Sequence, residues 1–287
     1  MSEAPPDYVL TLSCPDRPGI VFHVSGFLLE RGGNILEADQ FSDVETGLFF
    51  MRVEFSIARA EFDHARLVSE FGELGERFSM TWRIYDLAIR PRLMILVSQH
   101  GHCLNDLLYR HRTGWLRVEI PAIVSNHRDF YQLAASYDIP FFHLPVDAGS
   151  RPRQEARLAE LVRENRADLV VLARYMQILS PQLCEELHAR AINIHHSFLP
   201  SFKGARPYHQ AHQRGVKLIG ATAHFVTANL DEGPIIEQDA VRVDHTMSPD
   251  DLAALGRDAE CMVLARAVKW YSEHRVMLNG RKTVVFR

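Results

Sequence analysis

Apolar and polar residues alternate from Tyr8 to Ser13, a period of two that predicts a strand with one buried face. From Pro18 to Arg31 the spacing changes. Ile20, Val24, Phe27 and Leu28 fall on one helical stripe, and Gly32-Gly33 supplies a stop. Ile35 to Ser42 and Leu48 to Ile57 read as strands joined by a turn at Glu45-Thr46-Gly47, which predicts a hairpin. A second helix is predicted over Phe62 to Phe78 and a closing strand over Met80 to Leu87. The order is strand, helix, strand, strand, helix, strand.

Further along, the rhythm becomes that of alternating strands and helices. Short apolar runs at Arg92 to Ser98, Val118 to Ser125, Pro140 to His143, Asp168 to Ala173 and Ala191 to His195 are separated by helical stretches at 104–112, 129–136, 151–166 and 181–188. Repeated βαβ units predict a mostly parallel sheet covered on both faces, with ligands bound beyond the carboxyl ends of its strands. Lys217 to Thr227 and Ile235 to Val243 read as later strands, and Pro249 to Ser272 as a long final helix. The chain therefore divides into one domain over residues 1–88 and a second over 89–287, with Pro91 just past the join.

Composition narrows the function. A chain of 287 residues with 47% hydrophobic and 24% charged residues suits two globular domains, and a net charge of -4 offers no basic field to nucleic acid or to an anionic membrane. Cys14, Cys103, Cys184 and Cys261 form no C-x-x-C pair, and no apolar run approaches the roughly 20 residues a bilayer demands. A cytoplasmic protein with reduced thiols is expected, with Cys103 buried at a helix start. The fifteen histidines include His100-x-His102 and His209-x-x-His212, yet no carboxylate or cysteine completes a credible first shell, so no metal site is expected.

The candidate chemistry lies in AINIHHSFLPSFKGARP at 191–207 and GATAHFVTANLDEGP at 220–234. If Ala191 to His195 is a strand, Asn193 and His195 leave one face, and Asp231 follows in a Leu-Asp-Glu-Gly-Pro turn. An amide that donates to a carbonyl oxygen, an imidazole that carries a proton and a carboxylate that orients both suit acyl transfer. No protein nucleophile accompanies them. Asp231 is the first candidate for the base that activates water, and His195 the second.

These two segments resemble the formyltransferases that use 10-formyltetrahydrofolate. The resemblance runs from about residue 92 to the C-terminus and implies a Rossmann-like formyltransferase fold with Asn193, His195 and Asp231 as catalytic residues. It also makes Arg174-Tyr175-Met176-Gln177-Ile178-Leu179-Ser180-Pro181 a folate loop, in which backbone groups of Met176, Gln177, Ile178 and Leu179 face the pterin. Thr227 to Leu230 would close the other side, with His224 as a supporting partner and Lys203, Gly204 and Arg206 near the formyl pocket. Cys14-Pro15-Asp16-Arg17-Pro18-Gly19-Ile20, with Gly33-Asn34-Ile35 after the helix, resembles the ACT domain, a ferredoxin-like βαββαβ module that often binds amino acids. There Asp16 can cap the helix, Pro18 suits its first turn and Gly19 allows close approach. Asp16, Arg17, Pro18 and Gly19 thus form a possible loop for an amino-acid effector, and such modules often pair into homo-oligomers.

Within that family, Val97 to Asn105 lacks a Gly-Ser-Asn phosphate cradle, and there is no basic C-terminal domain for tRNA. The resemblance, with His196 beside His195, therefore implies hydrolysis of 10-formyltetrahydrofolate to formate and tetrahydrofolate, regulating one-carbon pools and feeding purine synthesis. The folate is the substrate and no cofactor is expected. Alternatives are formyl transfer to an amine such as glycinamide ribonucleotide, and a silent amino-acid sensor built on the first domain.

Overall fold

The computed structural model describes residues 7–57, 64–147, 149–197 and 207–287. Two compact units emerge: residues 1–90 with 274–277 and 284–287, and residues 91–273 with 278–283.

In the first unit, β1 (Tyr8–Pro15), α1 (Ile20–Glu30), β2 (Asn34–Asp43), β3 (Leu48–Ser56), α2 (His64–Phe78) and β4 (Thr81–Asp86) follow in order. The sheet runs β2-β3-β1-β4, and every pairing is antiparallel. Leu10 and Leu12 of β1, Phe55 of β3, Val24 of α1 and Phe71 of α2 are buried in one core, so the strand and helix periodicities converge on the same interior. Two expectations fail at the first helix, which begins at Ile20 rather than Pro18 and has Gly19 at its N-cap. No side chain caps it: Asp16 accepts a hydrogen bond from Ser42 Oγ, and Arg17 donates to the Arg77 carbonyl and lies over the Phe78 ring. Gly19, at φ 95°, turns the chain in a left-handed step between Asp16 and the helix, and carries the Asp16 carboxylate away from the first amides. The expected start of the second helix at Phe62 lies outside the described residues.

The second unit contains β5 (Arg92–Val97), α3 (His102–Arg112), β6 (Glu119–Ser125), α4 (Tyr131–Ala135), β7 (Phe141–His143), α5 (Arg151–Glu164) and β8 (Leu169–Leu172). It continues with α6 (Pro181–Glu186), β9 (Ala191–His195), α7 (Pro207–Gln213), β10 (Leu218–Phe225), β11 (Ile235–Arg242) and α8 (Pro249–Ser272). Its sheet runs β11-β10-β9-β8-β5-β6-β7, parallel from β9 to β7 and antiparallel at β10 and β11. The chain leaves β5 toward β6 and β7, then crosses back to place β8 on the other side of β5. That reversal puts the loops after β5 and β8 side by side at the carboxyl ends, where open sheets bind ligands. Ser248 and Asp251 form a capping box with Pro249 in the first turn, which fixes the start of α8.

A hairpin of β12 (Val276–Asn279) and β13 (Lys282–Val285) was not anticipated, although Asn279-Gly280 between two alternating runs is a hairpin signal. Among the described residues no helix is long and apolar enough to cross a membrane.

Candidate active site

In β9 the pleat buries Ile192 and Ile194 and leaves Asn193 and His195 half-buried on the opposite face. The antiparallel register of β10 sets His224 opposite Asn193 and Thr222 opposite His195. Beyond β10 the chain turns sharply: Phe225 N–H donates to the Pro234 carbonyl at 2.9 Å, and a Cβ on residue 233 would lie 1.7 Å from the Phe225 oxygen. Only glycine fits there. The turn carries Asp231, itself in a left-handed conformation at φ 57°, back over the strand face.

Asp231 thereby reaches both imidazoles. Its Oδ2 lies 3.2 Å from His195 Nδ1 and its Oδ1 lies 3.5 Å from His224 Nε2. His195 Nδ1–H donating to the carboxylate leaves Nε2 free for a substrate. His224 Nδ1 donates to the Phe225 carbonyl at 2.8 Å, and its Nε2, which faces Asp231 Oδ1, also stands 3.3 Å from Asn193 Nδ2. Burial pushes the Asp231 carboxyl upward, but hydrogen bonds from His195 and His224 and their charges outweigh it and hold the group well below the usual carboxylate range. His196 stacks on His195 with ring centroids 4.9 Å apart. Its pKa falls to about 4, mainly through burial and then through Arg174 and His195, so it is neutral at pH 7.

The opposite wall comes from the loop after β8. Ser98, at the end of β5, binds it twice: Ser98 N–H donates to the Arg174 carbonyl at 3.3 Å, and Ser98 Oγ accepts from Met176 N–H at 3.0 Å. Ser180 caps α6 by accepting from Leu183 N–H. Between these anchors Met176 and Ile178 stay exposed, as does Leu230 on the facing loop, and the three give an open apolar mouth suited to a flat ring.

A cavity of about 320 Å³ joins the two walls. Asn193, His195 and Asp231 line it together with Met176, Gln177, Ile178, Leu179, His224, Thr227 and Leu230. Lys203, Gly204 and Arg206 lie outside the described residues.

A third cluster adjoins the site and was missed from the sequence. Glu260 of α8, 1% exposed, meets His102 Nε2 at 2.6 Å, Tyr208 OH at 2.9 Å and Arg174 Nε at 3.5 Å. Burial raises the Glu260 carboxyl, but the His102 hydrogen bond and the Arg174 charge lower it below its ordinary value. The expectation that no carboxylate or cysteine completes a shell with these histidines is corrected for His102: its donor atom and those of Cys103 and Glu260 lie within 4.8 Å of one another. The helix pairing supplies Glu260 from far along the chain. Cys103 remains a neutral thiol, its pKa raised by a hydrogen bond with Cys261 and by burial, while Arg174 balances the Glu260 charge. One signal was available, since Glu260 sits on the buried stripe of Gly256, Ala259, Val263 and Leu264, where an acid needs partners.

Residues 91–268 match the formyl transferase family and residues 8–71 the ACT domain. A formyltetrahydrofolate deformylase of Corynebacterium sp. (strain P-1) is 50% identical over 98% of each chain. The chain belongs to the formyltetrahydrofolate deformylase family. The crystal structure of a Burkholderia mallei formyltetrahydrofolate deformylase superposes with a TM-score of 0.95 at 53% identity, covering 99% of this chain and all of that one. A glycinamide ribonucleotide transformylase from Symbiobacterium toebii aligns at 32% identity and a TM-score of 0.66, covering 97% of its own length and 71% of this chain. This chain therefore extends well beyond the part it shares with that transformylase.

Proposed function

We propose that the protein hydrolyses 10-formyltetrahydrofolate to formate and tetrahydrofolate, with water as the nucleophile, so that it draws on the one-carbon folate pool and supplies formate to purine synthesis. The full-length likeness to the deformylases supports this reaction over transfer to an amine. The observation that carries the site assignment is the convergence of Asn193, His195 and Asp231 on one cavity whose mouth is apolar.

In this scheme the pterin lies against Met176 to Leu179 and Thr227 to Leu230, and the formyl carbonyl points toward Asn193. Water adds to the carbonyl carbon, its proton passes to His195 Nε2, and Asn193 donates to the developing oxyanion. His195 then returns the proton to N10 as the carbon–nitrogen bond breaks, and the formic acid so formed gives its own proton to solvent to leave as formate. Asp231 stays ionised and stabilises the imidazolium. Its depressed pKa makes it a weak base, which favours His195 over Asp231 in that role.

Release of formate from 10-formyltetrahydrofolate with no acceptor present, at a rate unchanged by added glycinamide ribonucleotide, is the expected result. Dependence of turnover on the ribonucleotide would instead establish a transferase.

The ACT domain supports two further elements of the proposal. An amino-acid effector would bind near Asp16, Arg17, Pro18 and Gly19, and a screen of free amino acids for altered formate release tests it. Assembly into a homo-oligomer is supported by β2, an edge strand that exposes Ile35 and Phe41, and by exposed Phe22 and Leu29 on α1. Light scattering on the purified chain measures it.

A further inference from the structure

We propose that Arg174, held by the buried Glu260, forms a subsite for the released formate, a small monocarboxylate anion, at the catalytic end of the cavity. The inference rests on the hydrolytic reading above. Hydrolysis turns a neutral formyl amide into an anion, and it does so beside Asp231, a fixed negative charge. Some cation has to offset the two. Among the described residues that line the cavity, Arg174 is the one with a permanent positive charge. His196 cannot take that part, because burial keeps its imidazole neutral at pH 7.

Three further observations bear on Arg174. Its side chain is only 11% exposed, and its buried Nε has no hydrogen-bond partner among the described residues; the Glu260 carboxylate is 3.5 Å away. Glu260 also accepts from Tyr208 and meets His102, so Arg174 is one of three groups gathered on a single buried carboxylate. Finally, Arg174 occupies the left-handed region at φ 63°, where a side chain meets a steric cost that glycine avoids. Ser98 pins that backbone through the Arg174 carbonyl. A strained, buried, half-paired arginine beside the reacting groups suits a planar carboxylate, which its fork of N–H donors can hold.

Arg174 lines the same cavity as His195 and His196, which points to formate and not to the glutamate tail of the folate. The test is formate inhibition of turnover, with calorimetric titration of sodium formate, for the wild type, Arg174→Gln, Arg174→Lys and Glu260→Gln. Losing one charge-assisted contact corresponds to about a ten- to hundredfold weaker formate constant in Arg174→Gln. A smaller loss is expected in Arg174→Lys, which retains a cation, and tighter formate binding in Glu260→Gln, which relieves Arg174 of its neighbouring carboxylate. KM is expected to shift equally for the monoglutamate and for a tail-less pteroyl substrate.

An unchanged formate constant in a folded Arg174→Gln protein overturns the proposal, as does a KM rise confined to substrates with a glutamate tail. If Arg174→Gln does not fold, Arg174→Lys and Glu260→Gln carry the same comparison. A wild type that binds formate yet releases none from the folate would sink the hydrolytic reading and leave the subsite standing.

Discussion

Replacing Asp231 by asparagine removes one negative charge while keeping the shape of the side chain. In the wild type Oδ2 lies 3.2 Å from His195 Nδ1, so in the proposed scheme, where His195 takes a proton from water, the new imidazolium faces a carboxylate at contact distance. Coulomb's law makes that attraction about 1 kcal/mol in bulk water and about 5 kcal/mol at an effective dielectric of about 20. The side chains are mostly buried, at 14% and 25% exposure, which places the expected loss in the upper part of that range, about 3–5 kcal/mol. That corresponds to roughly two to four orders of magnitude in kcat. The asparagine amide adds a second penalty if it donates to Nδ1, because the proton then sits on Nε2, where a base needs a lone pair. KM is expected to change little, since in the proposed scheme the pterin lies against the loops and not against Asp231. Formate release measured from about pH 5 to 9 is the assay; over that interval wild-type Asp231 stays ionised, so any acid limb belongs to an imidazole. A variant with kcat within threefold of the wild type would refute the role given to the carboxylate.

Asn193→Ala removes the proposed oxyanion donor and is expected to lower kcat by roughly two to three orders of magnitude with KM nearly unchanged, as steady-state kinetics will read. Gly233→Ala forces a methyl group against the Phe225 carbonyl; thermal unfolding should report a loss of about 1–3 kcal/mol, and activity should fall further because the turn that carries Asp231 shifts. Arg52 is 1% exposed and bonds Glu37 and Glu54, so Arg52→Met is expected to destabilise the protein by about 1–3 kcal/mol, less than for an isolated buried pair because Arg275 still reaches both acids. Burial raises the Glu37 carboxyl, but hydrogen bonds from Arg275 and Arg52 hold it below its ordinary value. The unfolded chain therefore binds more protons there: this stability is complete above the unfolded pKa of about 4.3 and is lost as pH falls through the folded value. Denaturant unfolding between about pH 6 and 3 should show a shallower acid loss in Arg52→Met than in the wild type.

Local pattern made much of the molecule legible. Alternation marked β1, and the stripe of Ile20, Val24, Phe27 and Leu28 marked α1, because strand and helix periods of burial are written in neighbouring residues. The start of α8 was equally local, resting on Ser248, Pro249 and Asp251. Asn193 and His195 could be paired from the sequence, since two residues apart on one strand share a face. The caps of α1 were misjudged, since the left-handed step at Gly19 is a backbone choice that Asp16 does not reveal.

What the tertiary structure alone decided is the electrostatics. Glu260 joins His102 across 158 positions, and Arg174 meets Glu260 from the β8 loop, because strand order and helix packing bring these segments together. The depressed pKa of Asp231 likewise depends on a register that sets His224 opposite Asn193 and on a glycine turn that folds the carboxylate over both. The sequence by itself determined which segments become strands and helices, and which residues carry reactive groups. How strongly those groups hold their protons, and which charges they face, depends on distances of a few ångströms between remote segments, and only the folded chain sets those distances.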